Sequence, residues 1–402
     1  LYQAAIDIDP GFALAYMGVA KLHARVEEGR RAREAMQHAL DLQDRLPPRE
    51  RLYLKAWMAE LEPGGWPLEH WRTLAKVYPD SFAGLSNTSW YLLQANQFSE
   101  AEPYARAAAV PQDPLRLYPL VHLVRIQIAA NQPQLAAGTL AQAQVLRGRD
   151  DVDETGVDVL VAQGQYAKAA QLLPQIRATD ALQQRMKLRA QLLLAAAQRD
   201  CAAMQQAVRE DAPAPTLADF QVQQRLQHAS VSALCGTADR TGLQAIAALL
   251  QPMLQERDDP MLHARVLQWL ALVHLAQRQG QFDLARRWLD EQRPLLSSLR
   301  SPVAERWLRI VSAEDQLQMQ RPDAARTLIE PMLDGNEPVQ AHVVLLLALR
   351  AQGDAAAVRR QQAWLAQHRG RAIAEVTALQ VWQPLNVHDV STWATPATAG
   401  AP

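Results

Sequence analysis

Aromatic residues are scarce in this chain: Phe, Trp and Tyr together supply 6% of 402 residues, with only five Phe among them. Runs of alternating Val, Ile and Thr are nearly absent as well, which excludes a β-sandwich or barrel core. Lysine is rarer still, since all but five of the 41 basic residues are Arg, a bias that a GC-rich bacterial genome accounts for. The formal net charge of −1 leaves no excess of basic side chains for a chain-wide nucleic-acid footprint, so no nucleic-acid partner is expected. Two cysteines, Cys201 and Cys235, occur without a CxxC pair and without His at metal spacing. Counting alone allows one disulfide; two buried free thiols in a reducing cytosol are the preferred reading. The longest apolar run, Val343 to Leu349, falls far short of the ~20 residues a membrane span needs. No signal peptide opens the chain, so a cytoplasmic protein with no membrane partner is expected. Leu1-Tyr2-Gln3-Ala4-Ala5 reads as the middle of a helix with no initiator Met, which suggests a fragment of a longer protein.

What the chain has in quantity is Ala and Leu, within a hydrophobic fraction of 49%. These residues lose the least entropy in a helix. They also recur in register. The frame Leu85, Thr88, Ser89, Leu92, Asn96, Phe98, Ala101, Ala105, Ala108 returns as Leu120, Leu123, Val124, Asn131, Ala136, Leu140, Ala143, and later as Trp269, Leu272, Val273, Ala276, Gly280, Phe282, Ala285, Leu289. From Ala101 to Ala136 is 35 residues, from Ala136 to Ala169 is 33, and from Ala169 to Met204 is 35. The interval from Ala285 to Ala325 is 40, which predicts a longer connection, and from Ala325 to Val358 it is 33 again. A period near 34 with helix–turn–helix punctuation marks tetratricopeptide arrays. The fold expected is therefore all-α: a right-handed superhelical solenoid of about ten antiparallel helix pairs. Small residues such as Ala20, Ala101 and Ala285 let paired helices approach, while Trp71 and Trp269 fill the core. Gly164, Gly280, Gly353, Asn96 and Asn131 stand where a left-handed residue ends the first helix. Residues 1–211 form the regular N-terminal run and 212–254 a degenerate repeat or joint. The array resumes over 255–370, and 371–402 supply a capping helix and then a flexible tail from Pro384 onward.

Catalytic signatures are missing: there is no GxSxG, no phosphate-binding loop and no HExxH. Ten His are scattered singly, and residues such as His122 and His274 read as surface or satisfied interior groups. The acidic cluster Asp150, Asp151, Asp153 and Glu154 reads as a helix start. No enzyme activity, cofactor or metal is expected. The candidate partner-binding residues are those the repeat frame places on first helices, facing a concave wall: Lys21, Arg25, Tyr53, Trp57, Asn87, Trp90, His122, Arg125 and Arg189. Aromatic and Arg side chains are the usual anchors of interfaces, and a groove of Trp, Arg and Asn suits an extended peptide. The plainer alternative is that these side chains pack against neighbouring helices.

Two stretches, Ala4-Ala5-Ile6-Asp7-Ile8-Asp9-Pro10-Gly11-Phe12-Ala13-Leu14-Ala15-Tyr16 and Leu46-Pro47-Pro48-Arg49-Glu50-Arg51-Leu52-Tyr53, resemble the opening of tetratricopeptide regions in bacterial multidomain regulators, as does Val77-Tyr78-Pro79-Asp80. In that family the array is a C-terminal sensor behind a kinase, a winged-helix domain or a nucleotide cyclase. Gln367-His368-Arg369-Gly370-Arg371-Ala372 and Pro384-Leu385-Asn386 are most similar to the cyclase-like regulator of peptide-modification systems. The resemblance implies a protein- or peptide-binding scaffold, or alternatively a homodimerising array that positions an output domain. The chain carries no such output domain, and the Lys/Asn set of the carboxylate-clamp repeats is not matched.

Overall fold

The computed structural model describes residues 1–25, 28–147, 154–213, 218–376 and 381–394. Every regular element among them is helical. After an opening helix, Tyr2–Ile8, the helices follow one another in ten consecutive pairs. The first helices of the pairs are Ala13–Arg25, Pro48–Glu60, Phe82–Gln94, Leu117–Ala129, Glu154–Ala162, Ala181–Gln198, Ala218–Leu234, Leu262–Arg278, Pro302–Gln318 and Val339–Ala351. None of the described helices is long and apolar enough to cross a membrane.

From the third pair on, every first helix closes in one way. Asn96, Asn131, Gly164, Arg199, Gly236, Gly280, Gln320 and Gly353 all take positive φ, at intervals of 35, 33, 35, 37, 44, 40 and 33 residues. In each case the next residue donates its backbone N–H to the carbonyl five positions back, as in Gln132 to Gln127 (2.8 Å) and Gln281 to Ala276 (2.8 Å). This closure satisfies helix-end carbonyls that would otherwise be orphaned. The five turn residues read from sequence are all left-handed. Arg199 and Gln320 join them although neither residue type favours that conformation. Within and just past 212–254, the stretch expected to be a degenerate repeat or joint, lie the helices Ala218–Leu234 and Arg240–Gln255 with the same closure at Gly236. The 40-residue interval is not a longer connection. Its extra residues lengthen Phe282–Ser298 and Pro302–Gln318, leaving only a short link between them.

Close packing follows from small residues at the crossings. Ala20 and Ala101 are fully buried, and a Cβ on Gly84 would meet the backbone nitrogen of Ala75 at 2.8 Å. The array also curls back on itself. Gly29 rests on Pro260, Arg30 pairs with Glu256 at 2.5 Å, and the Trp66 ring lies 5.7 Å from that of His263. Cys201 and Cys235 are not free, buried thiols: both are half-buried and joined as a disulfide with Cα atoms 5.6 Å apart. Their separation of 34 residues is about the interval between successive helix pairs, which brings them side by side.

The largest departure from expectation is at the C-terminal end. Residues 371–376 and 381–394 do not trail away from the array. Arg369–Ala374 packs on the Leu117–Ala129 helix, and Trp382–Trp393 packs on the first helices of pairs six, seven and ten. Trp382, Gln383, Leu385, Asn386 and Asp389 are all 0–1% exposed. Residues 395–402 of the expected tail lie outside the described residues, as do Asp150, Asp151 and Asp153 of the acidic cluster.

Candidate partner-binding face

Eight of the nine sequence-predicted residues separate into two groups according to what covers them. Lys21, Tyr53, Trp57, Asn87, Trp90 and His122 come from the first helices of pairs one to four and are half-buried. Lys21 Nζ sits 5.5 Å from the Tyr53 ring centre, and Tyr53 meets Trp57 and Trp71 edge-on at 6.5 and 5.8 Å. Trp90 stacks on His122 at 5.4 Å. The side chain of Arg25 lies outside the described residues. These contacts hold the rings in fixed orientations with part of each surface in water, which suits an interface anchor.

Behind the first aromatic cluster lies Glu60, which accepts a hydrogen bond from Trp71 Nε1 at 3.1 Å. Burial among the rings pushes its carboxyl up to about 7, against the opposing pull of Trp71 and Tyr91. Burial raises the Tyr53 phenol too.

Arg125 and Arg189 do not face a groove. Arg125 is 6% exposed and 3.8 Å from Glu154. Arg189 is 1% exposed and donates to both Asp158 carboxylate oxygens at 2.8 and 3.1 Å and to Gln383 Oε1 at 3.0 Å. Burial pulls the Arg189 guanidinium down, but Asp158 and Glu154 outweigh it and hold it above its usual value. Gln383 belongs to the C-terminal helix, so this face of the first helices is already covered by the chain itself.

That occupation is specific. Asp389 accepts two hydrogen bonds from Arg278 (2.6 and 2.8 Å) and one from Gln340 Nε2 (2.9 Å). Burial opposes its ionisation, yet Arg278 overcomes it and holds the carboxyl well below the usual range. Asn386 accepts from Gln340 at 3.1 Å and donates to Glu375 at 2.7 Å. Trp382 stacks on Trp307 at 3.6 Å and lies 4.9 Å from the His274 ring. Gly370 donates its N–H to Asn131 Oδ1 at 2.9 Å, and a Cβ there would run into the Ile128 carbonyl. None of these pairings was read from the sequence. The usable signal was a lone polar residue inside an apolar run, as in Val157-Asp158-Val159 and Ile373-Ala374-Glu375-Val376.

One contact has the appearance of a nucleophile and its base: Ser89 Oγ lies 2.8 Å from His122 Nδ1. Ser89 is completely buried, and its hydroxyl proton goes to the Ser86 carbonyl at 3.0 Å, so the imidazole donates to the serine. Burial, aided by Arg125, depresses His122 to about 3. A base that weak takes up no serine proton at neutral pH. Among the described residues no three His, Cys, Asp or Glu side chains converge as a metal site. No protein-family model matches the chain, and no curated protein is significantly similar to it.

Proposed function

We propose that this chain is a tetratricopeptide-type right-handed superhelical solenoid that binds a protein or peptide segment and carries out no reaction itself. The partner face is the inner wall of pairs one to four. The observation that carries this reading is the contrast within one wall. Arg189 of pair six, Arg278 of pair eight and Gln340 of pair ten are hydrogen-bonded to the C-terminal helix. Pairs one to four present Tyr53, Trp57, Asn87 and Trp90 half-buried, braced by one another and by His122. Asn87 supplies amide groups for a peptide backbone, the rings supply apolar contact area, and Lys21 favours an acidic side chain on the partner. In a larger bacterial signalling regulator such a module acts as the sensor that receives a partner for an output domain elsewhere.

The test selects peptides from a random library against the whole chain and measures the best binders by calorimetry. Trp90→Ala and Tyr53→Ala are each expected to weaken them by about 2 kcal/mol, as a truncated aromatic anchor does. Peptides that bind the double variant as tightly as the parent would remove this face as the partner site.

A further inference from the structure

A second opening lies away from that face, where the C-terminal segment meets the closing turns of pairs four to six. It is a cavity of 590 Å³, within the usual range for small-molecule sites. Its floor is aliphatic and buried, with Val161 from the array and Ile373, Val387 and Val390 from the C-terminal segment. Arg199 and Arg369 stand at its exposed rim, and no Asp or Glu lines it. Neither guanidinium has a hydrogen bond or ion pair among the described residues. Asp200, the carboxylate next to Arg199 in sequence, is committed to the Ala203 amide at 2.9 Å.

Arg199 is also the costlier choice for the backbone. It takes φ +56° at a turn where six of the other seven copies use Gly or Asn. A long side chain in the left-handed region costs on the order of 1 kcal/mol, and such outliers gather where the side chain has a task. Two unpaired guanidinium groups over an aliphatic floor form a charge-complementary receptor for one acidic head group carrying an apolar body.

We infer that this cavity binds a small organic anion with an apolar body, of the class of a medium-chain carboxylate. Arg199 and Arg369 hold the carboxylate, and the alkyl chain lies along Val161, Ile373, Val387 and Val390. Three of these four floor residues, together with Arg369, belong to the C-terminal segment, so the bound anion also clamps that segment to the array. The site shares no residue with the partner face and stands whether or not that face binds a peptide.

The experiment titrates the full chain with anilinonaphthalene sulfonate, an aromatic anion that fluoresces in apolar sites, and displaces it with decanoate or with decanol. Decanoate is expected to displace a saturable component, and to raise the melting temperature as its concentration rises. Uncharged decanol is expected to compete at least tenfold more weakly. Arg199→Gln and Arg369→Gln, both surface changes, should each weaken decanoate about tenfold or more while leaving decanol unchanged. Ala162→Phe, which fills the cavity, should abolish displacement in protein whose helical circular dichroism matches the parent. Equal affinity for decanoate and decanol, unchanged decanoate binding in both Arg variants, or undiminished binding by folded Ala162→Phe would each overturn the inference.

Discussion

Glu375 gives the sharpest test of how the C-terminal segment is held. Its carboxyl is 1% exposed and accepts hydrogen bonds from the Val339 amide (2.8 Å), Asn386 Nδ2 (2.7 Å) and, more weakly, Asn96 Nδ2 (3.4 Å). Burial nonetheless pushes it up to about 7, against Arg371 and these donors. The geometry has room for the extra proton: Asn96 Oδ1 is buried without a partner, and turning that amide over lets a protonated Glu375 donate to it. A carboxyl at about 7 in the folded chain and about 4.5 in the unfolded one binds more protons when folded. The stability it contributes is therefore full below the unfolded value and is lost as pH rises through 7. Between pH 5 and pH 8 the loss is roughly 2–3 kcal/mol. The assay is urea unfolding at those two pH values, followed by far-UV circular dichroism and by the fluorescence of the Trp307–Trp382 stack. Glu60 titrates in the same range, so the quantity to read is the difference in pH dependence between the parent and Glu375→Gln. If both lose the same stability from pH 5 to pH 8, Glu375 is not the buried acid described here.

Asp389→Ala should destabilise the chain by about 3 kcal/mol in the same unfolding assay, because it strips Arg278 and Gln340 of their shared acceptor. A change under 1 kcal/mol would mean that water replaces the carboxylate. Reduction of the Cys201–Cys235 disulfide, which closes a 34-residue separation, is expected to cost about 3–4 kcal/mol, seen as a lower melting temperature in dithiothreitol. Cys201→Ala/Cys235→Ala protein should then melt alike with and without reductant, and any remaining sensitivity would point elsewhere. Ala101→Leu overpacks a crossing where the parent side chain is fully buried, at a cost of about 1–3 kcal/mol; an unchanged melting curve would contradict the packing.

Which features the sequence could reveal depended on how local their causes are. The pair rhythm is local: a small residue at Ala101 or Ala285 and a left-handed residue at Asn96 or Gly280 each act within one pair, so spacing alone exposed them. Arg199 and Gln320 escaped because their residue types carry no left-handed preference, and only the regular closure around them sets the conformation. The added length near pair eight was read as a connection because interval counting cannot tell a longer loop from longer helices. The C-terminal helix was hidden for two reasons. Pro384 lies in its first turn, where a missing N–H costs nothing, yet beside Thr, Ala, Gly and Pro it reads as tail. Gln383, Asn386 and Asp389 recur every three residues, which looks like a solvated face. Their partners Arg189, Gln340 and Arg278 lie 46 to 194 residues away, where no local pattern can show them.

Those distant partners also divide the inner wall into two kinds of surface. A wall carrying Arg189, Arg278, Gln340 and His274 is too polar to close on itself and too buried to leave unpaired, so its polar groups need partners from somewhere. The array supplies Asp158 for Arg189 and Glu314 for His274; the C-terminal helix adds Gln383, Asp389 and Asn386 for Arg189, Arg278 and Gln340, and its Trp382 adds apolar area between His274 and Trp307. An incoming peptide on pairs five to ten would have to reproduce that whole set of bonds before gaining any affinity. On pairs one to four it meets Tyr53, Trp57, Asn87 and Trp90, which need no such exchange because part of each already faces water. Under the proposed reading, the same wall is core over most of its length and a receiving surface only at its beginning. Competition between a synthetic Trp382–Trp393 peptide and a selected ligand should accordingly be absent: a ligand displaced by that peptide would place the partner on pairs five to ten instead.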